Sequence, residues 1–64
     1  MSLTVREWRR VREVTQEFMA NSLGIHVNTY QRWEDSPEKI PIAKAVEIAS
    51  LLGVSMDDIS FQEK

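Results

Sequence analysis

Residues 15 to 34 read TQEFMANSLGIHVNTYQRWE, and the pattern in this stretch decides the fold. Thr15 is a residue type that accepts a hydrogen bond from the first free amides of a helix, and Met19, Ala20 and Leu23 follow it at the spacing that gathers apolar groups on one helical face. Gly24 interrupts that pattern. A second periodic segment opens at Ile25 and returns to aromatic character at Tyr30 and Trp33, which leaves Asn28, Thr29, Gln31 and Arg32 on its polar side. Two short helices are predicted, over about 15–22 and 27–35, with the first bracing the second across a glycine turn.

The chain on either side continues the helical pattern. Thr4 caps a first helix, and Glu7, three residues later, reaches back to close a capping box. Val5 and Trp8, with Val11 or Arg12 on the next turn, mark its inner side, while Arg6, Arg9 and Arg10 are expected to point more outward. Beyond the central pair, Pro37 in the stretch Ser36-Pro37-Glu38-Lys39 enforces a stop. Pro41 suits the first position of a fourth helix, where its missing N–H has no partner to lose. The inner stripe of that helix is expected at Ile42, Ala45, Val46, Ala49 and Leu52, and Gly53 closes it in the left-handed conformation. Ser55 then caps a short fifth helix whose N-terminus Asp58 favours, and Ile59 and Phe61 fold back on the core. The expected architecture is all-α, five helices in a single domain spanning 1–64, with no repeats or linkers.

The central pair has the footprint of a helix-turn-helix. The residues that carry it resemble the Cro and lambda-repressor type of DNA-binding domain, the XRE family: Thr15, Gln16, Met19, Ala20, Leu23, Gly24, Ile25, Trp33 and Glu34 match its motif. Pro41, Ile42, Val46, Ile48, Ala49, Leu52, Gly53, Val54 and Ile59 resemble its fourth and fifth helices, so the likeness covers nearly the whole chain. The resemblance implies a compact lambda-repressor-like fold with the helix over 27–35 in the major groove of operator DNA.

Matched residue by residue, Val27, Asn28 and Arg32 are implied as base readers. Asn suits an adenine edge, Arg a guanine edge, and Val a thymine methyl. Thr29 and Gln31 are second candidates for base or phosphate contacts. Gln16, in the first turn of its helix, is implied as a phosphate contact and as a brace for the recognition helix; as a phosphate contact it carries no base information. Arg10 and Arg12 lie at the end of the first helix, which the family places near the DNA backbone. Lys39 is the one positive charge in the loop after the recognition helix. His26 stands at the cap of that helix, either touching phosphate through its imidazole or simply facing solvent.

Several positions depart from the family. Glu13 stands where the family often has Gly. Phe18 stands where it is usually polar, either tucked against the first helix or exposed to a protein partner. Tyr30 and Trp33 are expected in the core, and Glu34 as a structural acid paired with a first-helix Arg, worth only ~0–1 kcal/mol if the pair is exposed.

Composition narrows the function. The chain has 64 residues, no Cys and one His, which removes disulfides, thiolate metal sites and a zinc site; no cofactor, metal or catalytic constellation is expected. A chain of this length buries only about 60% of the surface its unfolded form exposes. No apolar run reaches the roughly 20 residues of a membrane span, nor is there the apolar core of a signal peptide, so a cytoplasmic location is expected. The net charge of -2 runs against phosphate binding, which depends on Lys and Arg releasing counterions. The charge is polarised, however. Residues 1–32 carry five Arg against three Glu, a balance of +2, whereas residues 33–64 carry three Lys against seven acids, a balance of -4. The resemblance implies a Cro- or repressor-type transcriptional regulator binding double-stranded operator DNA as a homodimer, with a phage or mobile-element origin by family analogy. The alternative is an interaction module derived from the same motif, binding another repressor or a toxin.

Overall fold

The computed structural model describes residues 2–62. Four α-helices dominate it: α1 (Val5–Val11), α2 (Gln16–Leu23), α3 (Val27–Asp35) and α4 (Ile42–Leu52). The first three begin where a side chain accepts from a free amide of the first turn, and α4 begins without such a cap. The Thr4 hydroxyl accepts from the Glu7 amide while the Glu7 carboxylate accepts from the Thr4 amide, the reciprocal pair foreseen for α1. Thr15 accepts from the Phe18 amide at the head of α2, and His26 heads α3. Pro41 stands one place earlier than expected, as the extended residue before α4 rather than its first helical residue.

The helix ends are equally local. Gly24 and Gly53 close α2 and α4 with φ of 70°, a left-handed conformation that a Cβ disfavours, and their amides return to carbonyls of the last turn. Glu13 adopts the same left-handed region, φ 58°, in the turn between α1 and α2. This accounts for a Gly preference at that place: Glu13 holds a conformation with a steric cost that Gly would not pay.

Helix α2 packs on α3 and α4, and α1 packs on α4. Between them Val5, Met19, Ala20, Leu23, Tyr30, Ile40, Ala45, Ile48, Ala49, Leu52 and Ile59 form one buried cluster. Trp8, Val14, Ile25, Val27, Trp33, Val54, Met56 and Phe61 seal its edges.

The expected fifth helix is a single 3-10 turn, Met56–Asp58, although its cap is as foreseen, with Ser55 and Asp58 exchanging hydrogen bonds. The chain then extends instead of coiling. Ile59–Ser60 (β2) pairs in parallel with Leu3–Thr4 (β1), Leu3 opposite Ile59, which ties the segment before α1 to the segment after the 3-10 turn. Another 3-10 turn, Pro37–Lys39, follows α3 with Pro37 buried.

Two expected faces are rotated. On α4, Ile42 is 78% exposed and Val46 53% exposed; the buried stripe is Ala45, Ile48, Ala49 and Leu52. On α1, Val11 is exposed and Arg9, expected outward, turns in. Arg12 lies over the Trp8 ring at 5.5 Å and donates from Nε to the Leu52 carbonyl at 2.8 Å, so it closes the end of α4.

Candidate nucleic-acid interface

Helix α3 has two unlike sides. Tyr30 and Glu34 are buried, and Val27 and Trp33 are half-buried against the core. Asn28, Gln31, Arg32 and Asp35 are exposed, with Thr29 intermediate. Residues three and four apart share a face, so Asn28, Gln31 and Arg32 form one continuous outward patch beginning in the first turn. Val27 contributes less to it than expected, because its side chain packs against the core.

The position of α3 is held from behind by a charge. The Glu34 side chain is fully buried, and Arg9, itself only 13% exposed, donates to it from Nε at 2.7 Å. Arg9 also donates from Nη1 to the Val14 carbonyl at 2.9 Å, which ties the α1–α2 turn to the same point. Arg6 reaches Glu34 from Nε at 3.4 Å and Asp35 through Nη2. The Tyr30 hydroxyl is buried beside the carboxylate, short of a full hydrogen bond, and burial together with that negative charge pushes its pKa up. Burial by itself would raise the Glu34 carboxyl, but Arg9, Tyr30 and Gln16 outweigh it and hold the group below the usual carboxylate range. Glu34 is therefore ionised and joins α1, α2 and α3 at one anchor.

Gln16 connects this anchor to the outward patch. Its Nε2 donates to Glu34 Oε1 at 3.0 Å, and its Oε1 accepts from Gln31 Nε2 at 3.1 Å. The bracing expected of Gln16 is thus present as two hydrogen bonds. His26 caps α3 through Nδ1, which accepts from the Asn28 amide at 3.1 Å. A neutral ring in that arrangement carries its proton on Nε2, and the residue is exposed. Arg10 is exposed and lies with Asp35 and Pro37 at the far end of α3; Lys39 is exposed in the turn that follows. Arg12 is the expected phosphate contact most committed elsewhere, through Trp8 and Leu52.

Two contributors escaped the local pattern. The charge of Arg9 reads as outward, yet the residue lies four places after Val5, on the same face as a buried residue, and that spacing is the signal for its inward turn. Lys44 donates from Nζ to the Leu23 carbonyl at 2.9 Å, placing a cation on the C-terminus of α2, and nothing in its local sequence marked it. Among the described residues, no group of three or more His, Cys, Asp or Glu is placed to hold a metal ion, and no helix is long and apolar enough to cross a membrane.

A pair of helices turned on a glycine, the second locked from behind and presenting amides and a guanidinium outward, defines the helix-turn-helix class of DNA-binding domain. A family model described as helix-turn-helix matches residues 5–59, and the chain belongs to that family, of the Cro and lambda-repressor type. Its members are DNA-binding transcription regulators, not typically enzymes. No curated protein and no solved structure gives a match.

Proposed function

We propose that the chain acts as one sequence-specific DNA-binding domain of a Cro- or repressor-type regulator, with α3 in the major groove of double-stranded operator DNA. The observation that carries the reading is the division of α3 into a buried side anchored at Glu34 and an outward side bearing Asn28, Gln31 and Arg32. Asn28 and Arg32 are the principal base readers, and Val27 adds an apolar contact from the edge of the patch. Gln16, Thr29 and Gln31 line the same approach. Arg10, His26 and Lys39 meet phosphates around it, and Arg12 adds at most the part of its guanidinium not held by Leu52. A single module of this size buries roughly 600–1,000 Å² of protein surface on DNA, so two copies bind two half-sites.

The test is a titration of labelled duplex from the regulated locus over a salt series. Arg10, Arg12 and Lys39 are the three exposed cations per copy assigned to phosphates, six in a dimer, and about -0.9 per neutralised phosphate gives a slope of log K on log salt no steeper than about -5.4. Absence of binding at low salt contradicts the reading. The same result would favour the other function for this fold, capture of a repressor or a toxin, for which the exposed Phe18 on α2 and Ile42 and Val46 on α4 are the supporting surface.

A further inference from the structure

We propose that Gln31 is a specificity-determining residue that reads an adenine edge, and that Gln16 and Glu34 are positioning residues fixing which way round its amide is presented. The inference rests on α3 being the recognition helix. It starts at Glu34, whose ionised carboxylate can only accept hydrogen bonds. Arg9 at 2.7 Å and Arg6 at 3.4 Å hold it in that state.

Gln16 approaches Glu34 Oε1 at 3.0 Å. The atom that does so has to be the amide nitrogen, because an amide oxygen there would set acceptor against acceptor. The oxygen of the same amide is then turned toward Gln31, 3.1 Å away, where it can only accept. Gln31 in turn has to direct its own nitrogen inward. A side-chain amide is ordinarily free to present either end, since the two ends have nearly the same shape. Here a buried charge removes that freedom at Gln16, and Gln16 removes it at Gln31.

Gln31 keeps two groups for a ligand: Oε1, which has no hydrogen-bond donor among the described residues, and the second N–H of Nε2. The residue is exposed, three places after Asn28 and adjacent to Arg32 on the outward patch. An acceptor beside a donor complements the N6 amino group and N7 of adenine in the major groove. Guanine offers acceptors at both places and would set O6 against Oε1. Thymine offers an acceptor and a methyl, and cytosine an amino group without the neighbouring acceptor. Adenine alone satisfies both arms. On this account Gln16 carries base information indirectly, through Gln31, besides any phosphate contact of its own.

The experiment is selection from a duplex library with a randomised core, carried out with the wild-type protein, Gln31→Ala, Gln16→Ala and the double variant, each first shown to be folded by circular dichroism. The wild type is expected to enrich adenine at one position per half-site where all three variants show no preference. At that position guanine in place of adenine lowers wild-type affinity roughly 5- to 150-fold, and purine, which lacks the N6 amino group, weakens the wild type but not Gln31→Ala. The double variant discriminates there no less than either single variant. If the wild type enriches a sequence but Gln31→Ala keeps every base preference, or if the affected base is guanine, the assignment of Gln31 is overturned while the proposed function stands. If Gln16→Ala weakens all sequences by the same factor, its positioning role is overturned. If the wild type enriches no sequence, the proposed function fails and this inference fails with it.

Discussion

Replacing Glu34 by Ala removes the carboxylate on which α1, α2 and α3 converge. The cost follows from what is left behind. Arg9 is 13% exposed and keeps only its bond to the Val14 carbonyl, and the buried Tyr30 hydroxyl and the Gln16 amide lose their neighbour. Breaking a buried ion pair by removing one partner costs about 3–5 kcal/mol, because a charge stays buried without compensation. The partial exposure of Arg6 and the Val14 bond place Glu34→Ala near the lower end, about 3 kcal/mol. A 64-residue domain has about 3–10 kcal/mol of stability in all, so the variant loses a large share of its margin. The wild type carries a matching acid signature. The Glu34 carboxyl sits below its unfolded value, so below about pH 4.5 the unfolded chain binds more protons than the folded one. The contribution of Glu34 is complete above that pH and is lost as pH falls through the folded-state pKa. Urea unfolding followed by circular dichroism at pH 7 and at pH 3 to 4 measures both effects, and Asp35→Ala, at a side chain 70% exposed, is the control expected to change stability by less than ~1 kcal/mol. A Glu34→Ala variant within ~1 kcal/mol of wild type, with an unchanged loss of stability in acid, would refute the reasoning: the anchor would then be solvated and could brace nothing.

Four further outcomes follow from the same geometry. Glu13→Gly removes a left-handed penalty of about 1–2 kcal/mol and adds backbone freedom worth roughly half of that, so the urea midpoint should rise, by about 0.5–1 kcal/mol in stability. On α4, Ile48→Ala should cost about 2–4 kcal/mol and Ile42→Ala less than ~0.5, since Ile48 is fully buried and Ile42 is 78% exposed; thermal melts of the two side by side decide which face is inner. Trp8→Phe deletes the donor to the Asp58 carbonyl at 2.7 Å and should cost about 1–2 kcal/mol by the same melts. Arg32→Ala should weaken binding to the preferred site by about 1–3 kcal/mol and flatten discrimination at one base position, in competition titrations against duplexes varied one base at a time.

What could be read from sequence was whatever local chemistry decides. The span of α3 was legible to the residue because Gly24 and Pro37 punctuate it, and the α1 capping box because both partners sit within one turn. The face of α4 was not. Ile42, Ala43, Ala45, Val46, Ile48, Ala49, Leu51 and Leu52 surround it with apolar groups, so two overlapping stripes fit the same periodicity, and contacts with α2 and α1 choose between them. A pairing of Glu34 with a first-helix Arg was legible, but that Arg9 is the main partner and that the pair is buried was not, since the two lie 25 residues apart and the packing of α1 against α3 decides it. The fifth helix failed because a good cap starts a turn but does not extend it: after Asp58, Ile59 continues into pairing with Leu3. At the interface the outward set on α3 was visible as a polar stripe. The chain of bonds from Glu34 through Gln16 to Gln31 was not, because it depends on how α2 crosses α3.

The central claim, that α3 enters the major groove with its outward patch against the bases, is tested most directly by titrating isotope-labelled protein with a selected operator duplex and following its NMR signals. The account predicts that the side-chain amides of Gln16, Asn28 and Gln31, the Arg32 guanidinium and the backbone from His26 to Arg32 shift most, with smaller changes at Arg10 and Lys39 and none along the exposed side of α4 at Ile42 and Val46. Shifts concentrated at Phe18 or on the exposed side of α4, with the Asn28, Gln31 and Arg32 signals unmoved, would contradict it.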